Sequence, residues 1–245
     1  MIDKNLGVHM KPSAKTSRIF GLAFLLQFLT SFFSGSVLNQ TWLVAGNIEE
    51  TTSRIAKNAW LFRANILVDM LTAFGIVFLG AVLYAILRKK NEEMALVGFG
   101  LYLIEAALLA GSKLPAFSLL QISQGYAGSG QPAIFQVMAN LALESMNFMG
   151  STLHMLAFCP GAIIFYTLLY QSRIVPRGLS LWGLIAVIPC LAATLFALFG
   201  SPLPFYVYLP YVPFELVIAI WIILKGVEPR EKLLVKKDLE VIESI

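Results

Sequence analysis

The sequence predicts an all-α fold: a polytopic membrane protein of six transmembrane helices in one bundle, with two short interfacial helices on the outer side and both termini in the cytoplasm. Three observations predict it. Of the 245 residues, 58% are hydrophobic and only 13% charged, against about 25% charged in an ordinary soluble domain. The apolar residues fall into six runs, each long enough to cross about 30 Å of hydrocarbon as a helix. The charged residues gather between those runs. Such a composition excludes a disordered chain and argues against a water-soluble globule.

The runs cover 19–38, 61–87, 95–114, 146–170, 179–199 and 208–225. They define one membrane domain, 19–226, between a basic leader, 1–18, and a charged tail, 227–245. Pro210 and Pro213 fall in the first turns of the last span, where a missing N–H costs little. Pro160 and Pro189 lie inside spans and predict kinks. Among the 18 lysines and arginines, only Arg54, Lys57, Arg63 and Lys113 fall on the side away from the termini. The positive-inside rule then places both termini in the cytoplasm. The first run continues past a typical signal-peptide h-region, behind a long basic leader. It is expected to remain a span rather than be cleaved near Ser34-Gly35-Ser36.

Between spans one and two, residues 48–60 read as an amphipathic helix. Ile48, Ile55, Ala59 and Trp60 face one way, and Glu49, Glu50, Arg54 and Lys57 the other; Thr51, Thr52 and Ser53 offer caps. Residues 121–131, rich in Gly, Ser and Gln, predict a loop. Residues 132–145 predict a second interfacial helix with Pro132 in its first turn. The tail reads as a cytoplasmic helix or frayed end. No internal repeat of the inverted-transporter kind is visible. Cys159 and Cys190 each sit in an apolar run, without metal-ligand spacing, and read as buried thiols. No basic stripe with interleaved aromatics exists, so no nucleic-acid partner is expected. The expected surroundings are the lipid bilayer.

Polar residues inside the spans are the functional signal, because a charge at mid-bilayer costs roughly 2.5–3.5 kcal/mol on insertion scales. Span two carries Arg63, Asn65 and Asp69, and span three carries Glu105. Span four carries Asn147 and His154, and span six carries Glu215. Helical spacing puts each set on one narrow face. Asn65, Asp69 and Thr72 fall at i, i+4, i+7, and Tyr208, Tyr211 and Glu215 at i, i+3, i+7. Glu144, Asn147, Ser151 and His154 make a third stripe, and Gly98, Tyr102, Glu105 and Ser112 a fourth. Gln27, Thr30, Ser31 and Ser34 make a weaker one. In lipid such faces turn inward. At 1.5 Å per residue, Asp69, Glu105, His154 and Glu215 each lie about 10–13 Å from the outer end of their span. The four are expected to converge in the outer half of the bundle, with Asn65, Asn147 and Tyr102 on the same faces. Arg63 would reach down from above. Three carboxylates against one arginine and one histidine leave an acidic surplus, which a bound cation or shared protons would balance.

Standard catalytic patterns are missing from the sequence. His9 and His154 are the only histidines, and HExxH, GxSxG, Walker and GxGxxG motifs do not occur; no catalytic set, metal site or cofactor is implied. The polar set therefore reads first as a pocket that binds or transports a cation, a proton or a small solute. One alternative is a membrane-embedded enzyme acting on a lipid or isoprenoid, with His154 as general acid or base. The other is a structural or partner-binding protein whose buried polar pairs only fix helix register.

Several stretches together resemble a bacterial membrane family, domain-of-unknown-function family 4386. They are SRIFGLAFLL, LFRANILVDML, LIEAALLA, LHMLAFCPGAIIFYTLLYQSRIVPRGLS and PFELVIAIWIILKGV. They carry Arg63, Asp69, Glu105, His154, Pro176, Arg177 and Glu215, and the likeness spans roughly 16–227. Ser180 departs from the family's pattern, which has glycine there. The resemblance implies six helices in a bacterial plasma membrane and no established activity, substrate or cofactor.

Overall fold

The computed structural model describes residues 14–129 and 132–226. The described chain is helical almost throughout. Helix α1 (Ala14–Phe33) passes through a π-helical stretch (Ser34–Leu38) into the short α2 (Asn39–Trp42). Then come α3 (Ile48–Lys57), α4 (Ala59–Leu87), α5 (Glu92–Gly111) and α6 (Lys113–Ser129). Helix α7 (Pro132–Asn147) continues through a second π stretch (Phe148–Leu153) into α8 (His154–Ser172). Helix α9 (Arg177–Leu198), a 3-10 turn (Phe205–Tyr208) and α10 (Val212–Lys225) complete the fold.

Local chemistry sets the boundaries. Asn47 caps α3 by accepting from the Glu50 backbone N–H at 2.9 Å, with Glu49 and Glu50 in the first turn. Asn91 does the same for α5 through Met94 N–H at 3.0 Å, followed by Glu92 and Glu93. Side-chain oxygens and acidic residues satisfy the orphan N–H groups and the positive end of the helix dipole. Arg173, in the left-handed region at φ 55°, stops α8, and Gly226 at φ 71° stops α10. Pro160 and Pro189 stand inside α8 and α9, which continue through them.

Six helical segments among the described residues are long and apolar enough to cross a membrane. Their arrangement follows chain order. Helix α1 packs on α4, α4 on α5, α5 on α8, α8 on α9 and α9 on α10, and the ring closes where α10 packs on α1. Gly21, early in α1, lies against Ile223, late in α10, so the described chain begins and ends at the same end of the bundle. The outer faces are apolar: Leu22, Leu26, Leu29 and Phe33 on α1, and Leu67, Leu71, Phe74 and Phe78 on α4. In water that exposure would be penalised, whereas lipid tails accept it. Lipid also removes the hydrophobic drive for helix pairing, so close contact relies on small residues. Gly183 shows this: a Cβ there would lie 2.4 Å from the Phe214 ring.

The interior has two apolar cores. The larger includes Leu83, Phe165, Tyr166, Phe214 and Ile218 from the main spans. The smaller joins Trp42, Ile55, Phe62, Leu119, Leu120 and Ala139 at the end that carries α3, α6 and α7.

Three local expectations are corrected. Residues 121–131 were expected to form a loop, but α6 is helical through Ser129. Burial of Leu119, Leu120 and Ser123 holds this segment as a helix despite its glycines, since packing overrides propensity. Residues 132–145 do not form a separate short helix, because α7 runs unbroken into α8. Its outward face, Ile134, Val137, Met138 and Leu141, is as apolar as its buried face, the signature of an immersed helix rather than an amphipathic one. Thr51 and Thr52 do not cap α3; both are buried, and Thr51 Oγ1 accepts from the Val44 N–H at 2.9 Å. The leader up to residue 13 and the tail from residue 227 lie outside the described residues.

Candidate functional site

A cavity of about 470 Å³ lies between the two cores, and all six spans line it. Helix α1 contributes Gln27 and Ser31, and α4 contributes Asn65, Asp69 and Thr72. Helix α5 contributes Glu105, α8 contributes His154 and Phe158, α9 contributes Cys190, and α10 contributes Val212 and Glu215. Both π stretches reach it, through Ser34 and Gly35 and through Gly150 and Ser151. A π stretch inserts extra backbone into a helix and rotates the residues beyond it, and such stretches recur at functional sites.

One part of the wall is fully paired. Lys113 Nζ meets Asp69 Oδ2 at 2.5 Å, in an ion pair whose side chains are only 12% and 17% exposed. Ser34 Oγ donates to the other Asp69 oxygen. Asn65 Nδ2 donates to Ser34 Oγ at 2.7 Å, and Trp42 Nε1 donates to Asn65 Oδ1 at 2.8 Å. The chain of donors runs in one direction and ends on a carboxylate whose charge Lys113 balances. It ties α2, the first π stretch, α4 and α6 together.

The rest of the wall differs. Glu105 is 4% exposed and Gln27 8%, yet Glu105 Oε2 and Gln27 Oε1 have no hydrogen-bond partner. His154 Nδ1 is likewise buried and unpartnered. Leaving a buried polar group unsatisfied costs about 1–3 kcal/mol each. Glu215 has partial support: Tyr211 Oη donates to its Oε1 at 3.1 Å, and Tyr166 Oη lies 2.6 Å from Tyr211 Oη.

Asp69, Glu105, His154 and Glu215 thus face one cavity, together with Asn65 and Asn147. Arg63 and Tyr102 do not line it. Arg63 is exposed on α4. Tyr102 is buried beside it, stacked 6.1 Å from Phe158 and edge-on 5.0 Å from Phe165. The cation that balances Asp69 is Lys113 rather than Arg63. Its signal was present in the sequence, because Glu105, Leu109 and Lys113 fall at i, i+4, i+8. That spacing carries the cavity face to the end of the third apolar run.

Among the described residues, no three His, Cys, Asp or Glu side chains come together as a metal ion would require. No serine or cysteine there hydrogen-bonds to His154. The cavity wall thus combines a paired set, three unpartnered polar atoms and apolar surface from Ile76, Leu109 and Met155.

A helical bundle of six apolar spans, with a cavity between them, is a multi-pass membrane protein. The chain belongs to the family described as domain of unknown function (DUF4386), whose model matches residues 19–226. No curated protein and no solved structure matches the chain.

Proposed function

We propose that the protein binds a small solute in this cavity and moves it into or across a bacterial plasma membrane, with both termini in the cytoplasm. One observation carries the reading: Gln27, Glu105 and His154, from three different spans, present buried unpartnered polar atoms around one cavity of about 470 Å³. Interhelical glue would leave such groups paired with one another. A cavity of this size falls in the range of small-molecule sites, about 300–1,000 Å³. Among the described residues His154 has no metal-ligating group around it, and no serine or cysteine hydrogen-bonds to it.

The test is thermal unfolding of the purified protein against a panel of small solutes of varied charge. A solute present at about a hundred times its dissociation constant stabilises by about 2.7 kcal/mol. We expect at least one to raise the melting temperature of the wild type and to lose that effect when Ser151→Trp fills the cavity. Equal responses, or none, from both proteins would defeat the proposal.

A further inference from the structure

We propose, building on that reading, that the solute is a primary organic amine, bound as its ammonium ion with its hydrocarbon part against the apolar wall. Four observations converge on this class. The first is charge. Lys113 is the lysine of the cavity wall, and Asp69 occupies it. Glu105 and Glu215 face the same space, whose lining holds no lysine or arginine besides Lys113 and only the His154 imidazole as a further base. A cationic occupant supplies the missing charge, and an anionic one would add to the imbalance.

The second is hydrogen-bond polarity. A carboxylate oxygen, an amide oxygen and an imidazole nitrogen stand unpartnered around the cavity, on Glu105, Gln27 and His154. All three accept. An alkylammonium carries three N–H donors and no acceptor. It matches that set in number and in sense, whereas a quaternary ammonium has no N–H to give.

The third is size. Bare divalent cations need oxygen or nitrogen ligands at about 2.0–2.6 Å. The carboxylates and His154 do not converge that way among the described residues. A cavity of about 470 Å³ requires an occupant with a body as well as a charge. The fourth is the rest of the lining: Ile76, Leu109, Met155 and Phe158 give an apolar surface, and Phe158 and Tyr211 meet edge-on at 5.4 Å. An amine with an alkyl or aryl group buries that group there, and an amino acid would bring an unmatched carboxylate.

Phenethylammonium is the probe, compared with 2-phenylethanol, phenethyltrimethylammonium, 3-phenylpropanoate and magnesium chloride. Binding to the full chain in lipid nanodiscs is measured by calorimetry and by thermal shift. We expect one phenethylammonium per protein, held at least about tenfold more tightly than any comparator, in keeping with charge-assisted hydrogen bonds. Glu105→Gln should weaken it about tenfold or more, and Glu93→Gln, exposed at the start of α5, should not. If Glu105→Gln does not fold, Gln27→Leu and His154→Phe each remove one acceptor and should each weaken the amine relative to 2-phenylethanol. Equal binding of the alcohol or the carboxylate, or indifference to these substitutions, would overturn the amine assignment while leaving a solute cavity. Preference for the quaternary ion or for magnesium would overturn it too. Binding of no probe would also overturn it, and the broader panel and Ser151→Trp then judge the cavity itself.

Discussion

Lys113 illustrates how one side chain can turn a costly buried charge into a structural tie. Its ammonium at 2.5 Å from Asp69 neutralises a carboxylate that also accepts from Ser34. Removing one partner of a buried pair leaves the other uncompensated, at about 3–5 kcal/mol. We therefore expect Lys113→Ala to lower thermal stability by about that amount. The double variant Lys113→Met with Asp69→Asn should recover most of it, as measured by unfolding in the same detergent. Ser180 offers the opposite case. It is fully buried and its hydroxyl has no partner. Ser180→Ala removes the orphaned hydroxyl and is expected to raise stability by about 1 kcal/mol in the same assay.

Elements were legible in the sequence where one physical signal dominated. The six spans could be read because length and hydropathy decide membrane insertion. The stripes of Asp69, Glu105, His154 and Glu215 could be read because a lipid-facing polar group has nothing to bond. The rest depended on packing. Helix α6 is held through its Gly and Gln residues by Leu119 and Leu120, which bury against α3 and α7. The π stretches at Ser34–Leu38 and Phe148–Leu153 have no periodic signature, since an inserted residue is invisible to a hydropathy pattern. Small residues in both, Ser34-Gly35-Ser36 and Gly150-Ser151, permit them without announcing them. Lys113 falls at the last turn of the third apolar run, where hydropathy does not distinguish a cavity-lining lysine from one at the membrane surface. Helix contact gives its own test. Gly183→Val should drive a side chain into Phe214, with an expected loss of about 1–3 kcal/mol. Gly178→Ala, near the start of α9 with no atom within 4 Å of its Cβ position, should be neutral or slightly stabilising.

For the whole molecule, a ring of spans in chain order leaves a space at one end, capped by the smaller core of α2, α3, α6 and α7. The start of α1 and the end of α10 lie together at the opposite end to that cap, beside the turns that carry Arg88, Lys89, Lys90 and Arg173 and the start of α9 at Arg177. The charge asymmetry predicts that this end is cytoplasmic. A fluorescent protein fused to the C-terminus should therefore mature in cells, whereas alkaline phosphatase fused there should stay inactive; the reverse pattern would invert the orientation. The claim on which the account rests is that the cavity is a solvated binding space. A roomy polar cavity holds water, and only an apolar one stays dry. The direct measurement is reactivity of an introduced thiol toward a charged methanethiosulfonate in a Cys159→Ala, Cys190→Ala background, since Cys190 itself lines the cavity. Ser151→Cys, exposed on the cavity wall, should react and be protected by phenethylammonium, while Leu67→Cys on the lipid-facing side of α4 should stay inert. If Ser151→Cys is as unreactive as Leu67→Cys, the space is closed to water and solute alike, and the account fails.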